Sequence, residues 1–227
     1  MRSERLHQRE GAAAGRFAEI DDALARGEID EEGWHAAVAA ILVPAYLAAE
    51  TPWAQSGKSG DEATWEQARR PVADAIDRDG SFLDIGCASG FLMESVQRWT
   101  GERGLAVEPF GLEIAPELAE LARRRLPRWA DRIFVGNARH WRPPRRFDCV
   151  CTGLEYAPPG RRRGLVAHLL AHVVAPRGRL IVGVYSQDRD APPTDELVAS
   201  WGFEIGGRIE AAHRDPSAAY RLFWIDA

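Results

Sequence analysis

Cysteine is scarce in this chain of 227 residues: Cys87, Cys149 and Cys151 are the only three. They are too few and too awkwardly spaced for a disulfide framework or a zinc site, which points to a reducing, cytoplasmic setting. Long apolar runs are missing as well. The longest, AAVAAILVPAYLAA over 36–49, has 14 residues and contains Pro44. It falls short of the roughly 20 residues that span a bilayer and starts too far along the chain to be a secretion signal, so it reads as a buried helix and the chain as soluble. Positive charge is also in short supply, and Lys58 is the only lysine. The 29 Lys and Arg against 34 Asp and Glu leave a net charge of −5, which argues against a nucleic-acid partner, since such binding draws on clustered cations.

The charge is unevenly spread. Residues 1–79 carry 9 basic against 16 acidic residues, or −7, whereas 80–227 carry 20 against 18, or +2. That split suggests two regions. The first, 1–79, reads as helical throughout, over roughly 3–26, 31–50 and 61–78, with the Gly/Ser-rich loop TPWAQSGKSG (51–60) before the last helix. The second, 80–227, alternates short apolar runs with helical segments, the pattern of a doubly wound, mostly parallel sheet. Its strands are SFLDI (81–85), PFGLEI (109–114), RIFVGN (132–137), FDCVCTGL (147–154) and RLIVGVYS (179–186). FEIGGRIEA (203–211) and YRLFWID (220–226) follow with no helix between them, so they should pair antiparallel and complete seven strands. Helices are expected at 91–99, at 116–125 with Pro116 in the first turn, and at 164–174.

Between the first strand and its helix lies FLDIGCASGFL (82–92). A dinucleotide loop needs G-x-G-x-x-G and a phosphate loop ends in G-K-[ST]; the run G-C-A-S-G fits neither, and the GKS at 57–59 has no strand before it. Asp84 at the strand end would repel a phosphate and would welcome an ammonium or hydroxyl group. It could equally cap the turn that follows.

The string DIGCASG resembles the first motif of class I S-adenosylmethionine-dependent methyltransferases, with Ala88 where the middle glycine usually stands. Backbone at Ala88 can approach a ligand if its φ stays negative. Glu113, at the end of the second strand, stands where that family places an acid on the ribose hydroxyls. Asn137 in GNA stands where the family often has an acid on the adenine amino group, and VVAPRGRLIVG (173–183) resembles its helix-turn-strand segment. The resemblance covers residues 80–227. It implies a Rossmann-like methyltransferase fold and an S-adenosylmethionine site made of Asp84, Gly86, Cys87, Ala88, Gly90, Glu113, Ile114, Asn137, Ala138 and Thr152. Trp53 and Gln55 would shield the methyl donor from a lid in the 51–60 loop, hinged at Gly57 and Gly60, with Lys58 solvated at its tip; the loop reads equally as a plain interhelical linker.

Methyl transfer needs placement, exclusion of water and, for some acceptors, a base. Candidates are Glu155 and Tyr156 in TGLEYAPP after the fourth strand and His140 after the third, each with a structural alternative. Cys149 and Cys151 share a strand face and read as core. His168 and His172 have metal-ligand spacing but no third ligand. The Asn-Pro-Pro-Tyr type signature that marks many methyltransferases acting on amide or base nitrogens is absent, which argues for another acceptor, and the leading reading is a small molecule. Two other readings stand: an RNA or protein methyltransferase using Arg142, Arg145, Arg146 and Arg161–Arg163, and a non-catalytic cofactor-binding protein.

Overall fold

In the computed structural model, residues 15–58, 60–188, 192–212 and 218–227 are described. The expected helix 3–26 is seen over 15–25 (α1), and its earlier part lies outside the described residues. Next come α2 (Glu31–Leu47) and α3 (Glu62–Asp74). Each starts on an aspartate that accepts a hydrogen bond from a backbone amide three residues on: Asp30 from Gly33 at 2.8 Å and Asp61 from Thr64 at 2.9 Å.

From residue 80 the elements run β1 (Gly80–Ile85), α4 (Phe91–Glu102), β2 (Val107–Glu113), α5 (Pro116–Arg125), β3 (Ile133–Val135) and β4 (Phe147–Thr152). They continue as α6 (Arg162–His172), β5 (Val174–Asp188), α7 (Thr194–Ser200), β6 (Gly207–Ala212) and β7 (Ala218–Asp226). The seven strands form one sheet in the order β3-β2-β1-β4-β5-β7-β6. Every pairing from β3 to β5 is parallel, and β7 runs antiparallel to both β5 and β6.

Strand alternation sends successive side chains to opposite faces. Leu83 and Ile85 of β1 pack on one face against Leu165, Val166 and Leu169 of α6. Phe82 joins Cys149 and Cys151 on the other, against α3 and α4. All three cysteines are buried and outside any disulfide. The N-terminal half shares this core: Trp65 and Val72 of α3 are 2% and 0% exposed, and each such side chain contributes about 1.5–3 kcal/mol by burial.

Several boundaries differ from those read in the sequence. β5 begins at Val174, not 179, because Val174 already pairs with Phe147; a register shift follows, and Arg177 takes a left-handed φ of 64°. β6 begins only at Gly207. A side chain at Gly207 would run into the Trp224 ring, so the close packing that β6 needs starts at that glycine. α7 was not foreseen, its seven residues being too short to show helical periodicity. Among the described residues no helix is long and apolar enough to cross a membrane.

Candidate active site

The loop 86–90 turns sharply at the C-terminal end of β1. Gly86, Ala88 and Gly90 have φ of 75°, 45° and 73°. The expectation of a negative φ at Ala88 is therefore wrong. A left-handed alanine costs about 1–2 kcal/mol and persists only where its surroundings hold it. Here the Ala88 amide donates to Glu113 Oε2 at 2.9 Å, and its methyl packs with Ala115, Leu118, Val43 and Tyr46. The amides of Gly86 and Cys87 both donate to the Leu112 carbonyl, at 2.7 and 3.1 Å, binding the loop to β2. At Gly86 any side chain would collide with the Tyr156 ring.

Two buried acids flank this loop, each 5% exposed. Glu113 accepts from Ala88 through Oε2 and from Ala115 through Oε1 at 3.0 Å. Burial pushes its pKa up and these amide bonds oppose the shift. The Ile114 amide acts in the same sense, and the carboxylate keeps capacity for a further donor. Asp84 is different: no hydrogen bond or ion pair to its carboxylate is present among the described residues. Burial pushes it up to about 8, against the opposing pull of the Arg69 guanidinium.

Asp84 faces a cavity of about 40 Å³ whose other walls include Gly86, Thr152, Tyr156, Arg69 and Ser56. That volume holds a few waters at most. Of the 51–60 segment, in which residue 59 lies outside the described residues, Ser56 lines this cavity. Ser89 Oγ donates to the Pro52 carbonyl at 3.0 Å, so the Ser56 hydroxyl, 2.7 Å away, is the donor to Ser89. Trp53 Nε1 donates to the Gly60 carbonyl at 2.9 Å, with its ring 6.2 Å from that of Phe91. Lys58 is not free in solvent as expected: its ammonium donates to the Tyr220 hydroxyl at 3.0 Å and lies 4.6 Å from the ring centre. Gly57 and Gly60 have left-handed φ, and the Tyr46 hydroxyl presses against Gly57.

No family model and no curated protein matches this sequence. Solved structures do. The 1,6-didemethyltoxoflavin-N1-methyltransferase of Burkholderia thailandensis, with 1,6-didemethyltoxoflavin and S-adenosylhomocysteine bound, superposes with a TM-score of 0.62 at 18% identity, over 87% of this chain and 90% of that one. The chain has a methyltransferase fold. The N-methyltransferase NodS of Bradyrhizobium japonicum WM9, in complex with S-adenosylhomocysteine, gives 0.57 at 16% identity over 82% and 95% of the two chains. The [4+2]-cyclase SpnF gives 0.56 at 16% over 74% and 84%.

Within this methyltransferase fold the remaining sequence-derived candidates separate. Tyr156 lines the cavity; Glu155 is not among its walls, and its carboxylate lies where a side chain on Gly153 would be. Solvent reaches Glu155, yet the protein around it raises its pKa, with Arg69 and Arg162 pulling the other way. Thr152 is buried, its hydroxyl donating to the Gly153 carbonyl at 3.2 Å. Ile114 is 41% exposed just beyond Glu113, an apolar surface beside an acid. Asn137 Oδ1 accepts from the Arg139 amide at 3.0 Å, and Ala138 is buried. His140 does not reach the cavity; its side chain is 71% exposed and lies 4.0 Å from Glu31. His168 Nε2 lies 2.9 Å from the Trp141 carbonyl and His172 Nδ1 lies 2.8 Å from Arg142 Nη1; no metal cluster occurs among the described residues.

Sequence reasoning missed Ser56, Tyr46 and Arg69. The signal for Arg69 was present: it follows Trp65 by four residues and precedes Val72 by three, so a cation sits on the apolar face of α3. Tyr46 carried no such mark, because one tyrosine in an apolar helix reads as core. Burial and the charges of Glu113 and Glu155 raise its pKa, which places it near both acids.

Proposed function

We propose that this chain transfers a methyl group from S-adenosylmethionine to a small-molecule acceptor. The observation that carries the reading is Asp84: a nine-tenths-buried carboxylate with no hydrogen bond or ion pair among the described residues, at the loop end of β1 in a methyltransferase fold. A buried acid of this kind costs stability unless a ligand cation completes it, and the ammonium of an amino-acid-bearing nucleoside does so. Glu113 would take the ribose hydroxyls with its spare lone pairs, Ile114 would cover an adenine face, and the Asn137 amide would meet its edge. The small residues Gly86, Cys87, Ala88 and Gly90 let this end of the ligand lie against backbone.

The bound sulfonium supplies an electrophilic methyl group. Residues 1–79, taken as a helical cover over the 80–227 domain, would hold water away from the reacting atoms, with Ser56 in the cavity wall and Trp53 in the same segment. Opening of the Ser56–Ser89 contact would widen this cavity to admit the nucleoside. Glu155 is the base we assign for acceptors that must lose a proton: it adjoins Tyr156 of the cavity wall, and the protein around it moves its carboxyl upward from the ordinary range. Tyr156, against Gly86, would orient the acceptor.

The arginines support a small acceptor over RNA. Arg139 and Arg161 engage Glu31, Arg145 engages Glu108, and Arg146 donates to the carbonyls of Ala171 and Val174. The likeness to a [4+2]-cyclase keeps a second reading, cofactor binding without methyl transfer. Incubation with methyl-labelled S-adenosylmethionine and a size-fractionated extract tests the choice. Label should enter the small-molecule fraction and should do so far more slowly with Glu155→Gln, by about 100-fold or more. Label in RNA or protein, or none despite tight binding, would contradict the proposal.

A further inference from the structure

We infer that Glu31 is an acid-sensitive clasp, which holds the start of α2 against the turn after β3 and the start of α6 and lets it go as pH falls. α2 is the helix whose Val43 and Tyr46 pack on the cluster of Ala88, Ala115 and Leu118. Its first turn is tied down through one carboxylate. Glu31 accepts from Arg139 Nε at 2.8 Å and lies 3.6 Å from Arg161 Nε, so a single side chain joins three segments of the fold. Arg139 is braced in turn, its Nη1 donating to the Arg161 carbonyl at 3.2 Å.

Two histidines face the same carboxylate, His35 Nε2 at 3.9 Å and His140 Nε2 at 4.0 Å. Their settings differ. The His140 side chain is 71% exposed, whereas that of His35 is 12% exposed, stands edge-on to Trp34 and has no hydrogen bond at Nε2 among the described residues. The charges acting on His35 are Glu31 on its own helix and Arg139 and His140 on the turn after β3. On α1, Asp21 is taken up by Trp34 Nε1 at 2.7 Å. Burial holds the His35 ring below the ordinary histidine range, with Glu31 opposing and Arg139 and His140 assisting. Released into water, the ring would return to about 6.5. Release therefore takes up a proton, and acid favours it from about pH 6.5 downward. Glu31 acts in the same direction at lower pH, because the Arg139 hydrogen bond holds its carboxyl below the usual range and release would end that.

Hydrogen exchange on the whole chain, read by mass spectrometry, tests the clasp, with α2 peptides compared with β1 and β4 peptides after correction for the intrinsic pH dependence of exchange. Between pH 7.5 and 5.5 the protection of α2 should fall relative to the sheet, by up to about tenfold per pH unit below 6.5, the limit for one proton. His35→Gln should abolish that fall, and His35→Phe carries the same arm if His35→Gln does not fold. Glu31→Gln should lower α2 protection by about 10-fold or more already at pH 7.5 and leave the sheet protected. An equal loss in α2 and sheet, a fall that persists with His35 replaced, or α2 protection that Glu31→Gln leaves unchanged overturns the inference.

Discussion

The Glu113 carboxylate, at the end of β2, accepts from the backbone amide of Ala88 at 2.9 Å and so fixes the middle of the loop that follows β1. Its other oxygen fixes the start of α5 through Ala115. One side chain thus joins the two loops between which the ligand is proposed to lie. Glu113→Gln must turn an NH2 group toward one of these amides. It should lower stability by about 1–3 kcal/mol and also weaken nucleoside binding. Thermal unfolding and calorimetry on the same preparation check both halves.

Ala88 makes a second test of that loop. At φ 45° a β-branched residue is far worse than alanine, so Ala88→Val should destabilise by about 2 kcal/mol or more, several degrees in Tm. Ala88→Gly relieves the backbone but gives up the methyl packed on Val43 and Tyr46, so its Tm should stay within about 3 °C of wild type.

Gly86 and Tyr156 should prove energetically coupled. Gly86→Ala places a methyl against the Tyr156 ring at a left-handed φ and should cost about 2 kcal/mol or more. Adding Tyr156→Ala to Gly86→Ala should recover part of that loss. Additive single effects in a double-mutant cycle would show that the ring does not rest on Gly86.

The empty protein should lose stability as pH rises, through Asp84. Its pKa is about 8 in the folded protein and about 3.9 in an unfolded chain, so the folded state holds a proton that the unfolded chain has lost. The stabilisation is fully present below about pH 3.9 and fades as pH climbs through 8, by up to about 1.4 kcal/mol per unit. Asp84→Asn should flatten that slope and make the protein more stable at pH 8 while abolishing nucleoside binding. Melts between pH 5 and 8.5 check it; parallel slopes for wild type and variant would refute it.

Much of the sheet was legible in the sequence because parallel strands bury both faces and read as apolar runs, as FLDI and FDCVCT do. The antiparallel close of the sheet was legible from the missing helix between its last strands. The bulge at the start of β5 and the late start of β6 were not, since they depend on Phe147 and Trp224, partners distant in sequence. In the site, Asp84 and Glu113 could be placed by their strand ends, whereas the left-handed φ of Ala88 depends on Glu113 and α2 together. Lys58 looked solvated because nothing near it in the chain announces Tyr220, 162 residues away. His140 stood at a plausible strand end, but the local turn carries it outward to Glu31.

The central claim is that the chamber around Asp84 receives the amino-acid end of a sulfonium nucleoside. Isothermal titration of the protein with S-adenosylmethionine and with S-adenosylhomocysteine tests it most directly. The account predicts that both bind at one site per chain and that Asp84→Asn loses both. Absence of binding by either ligand, or binding that Asp84→Asn leaves intact, would contradict it.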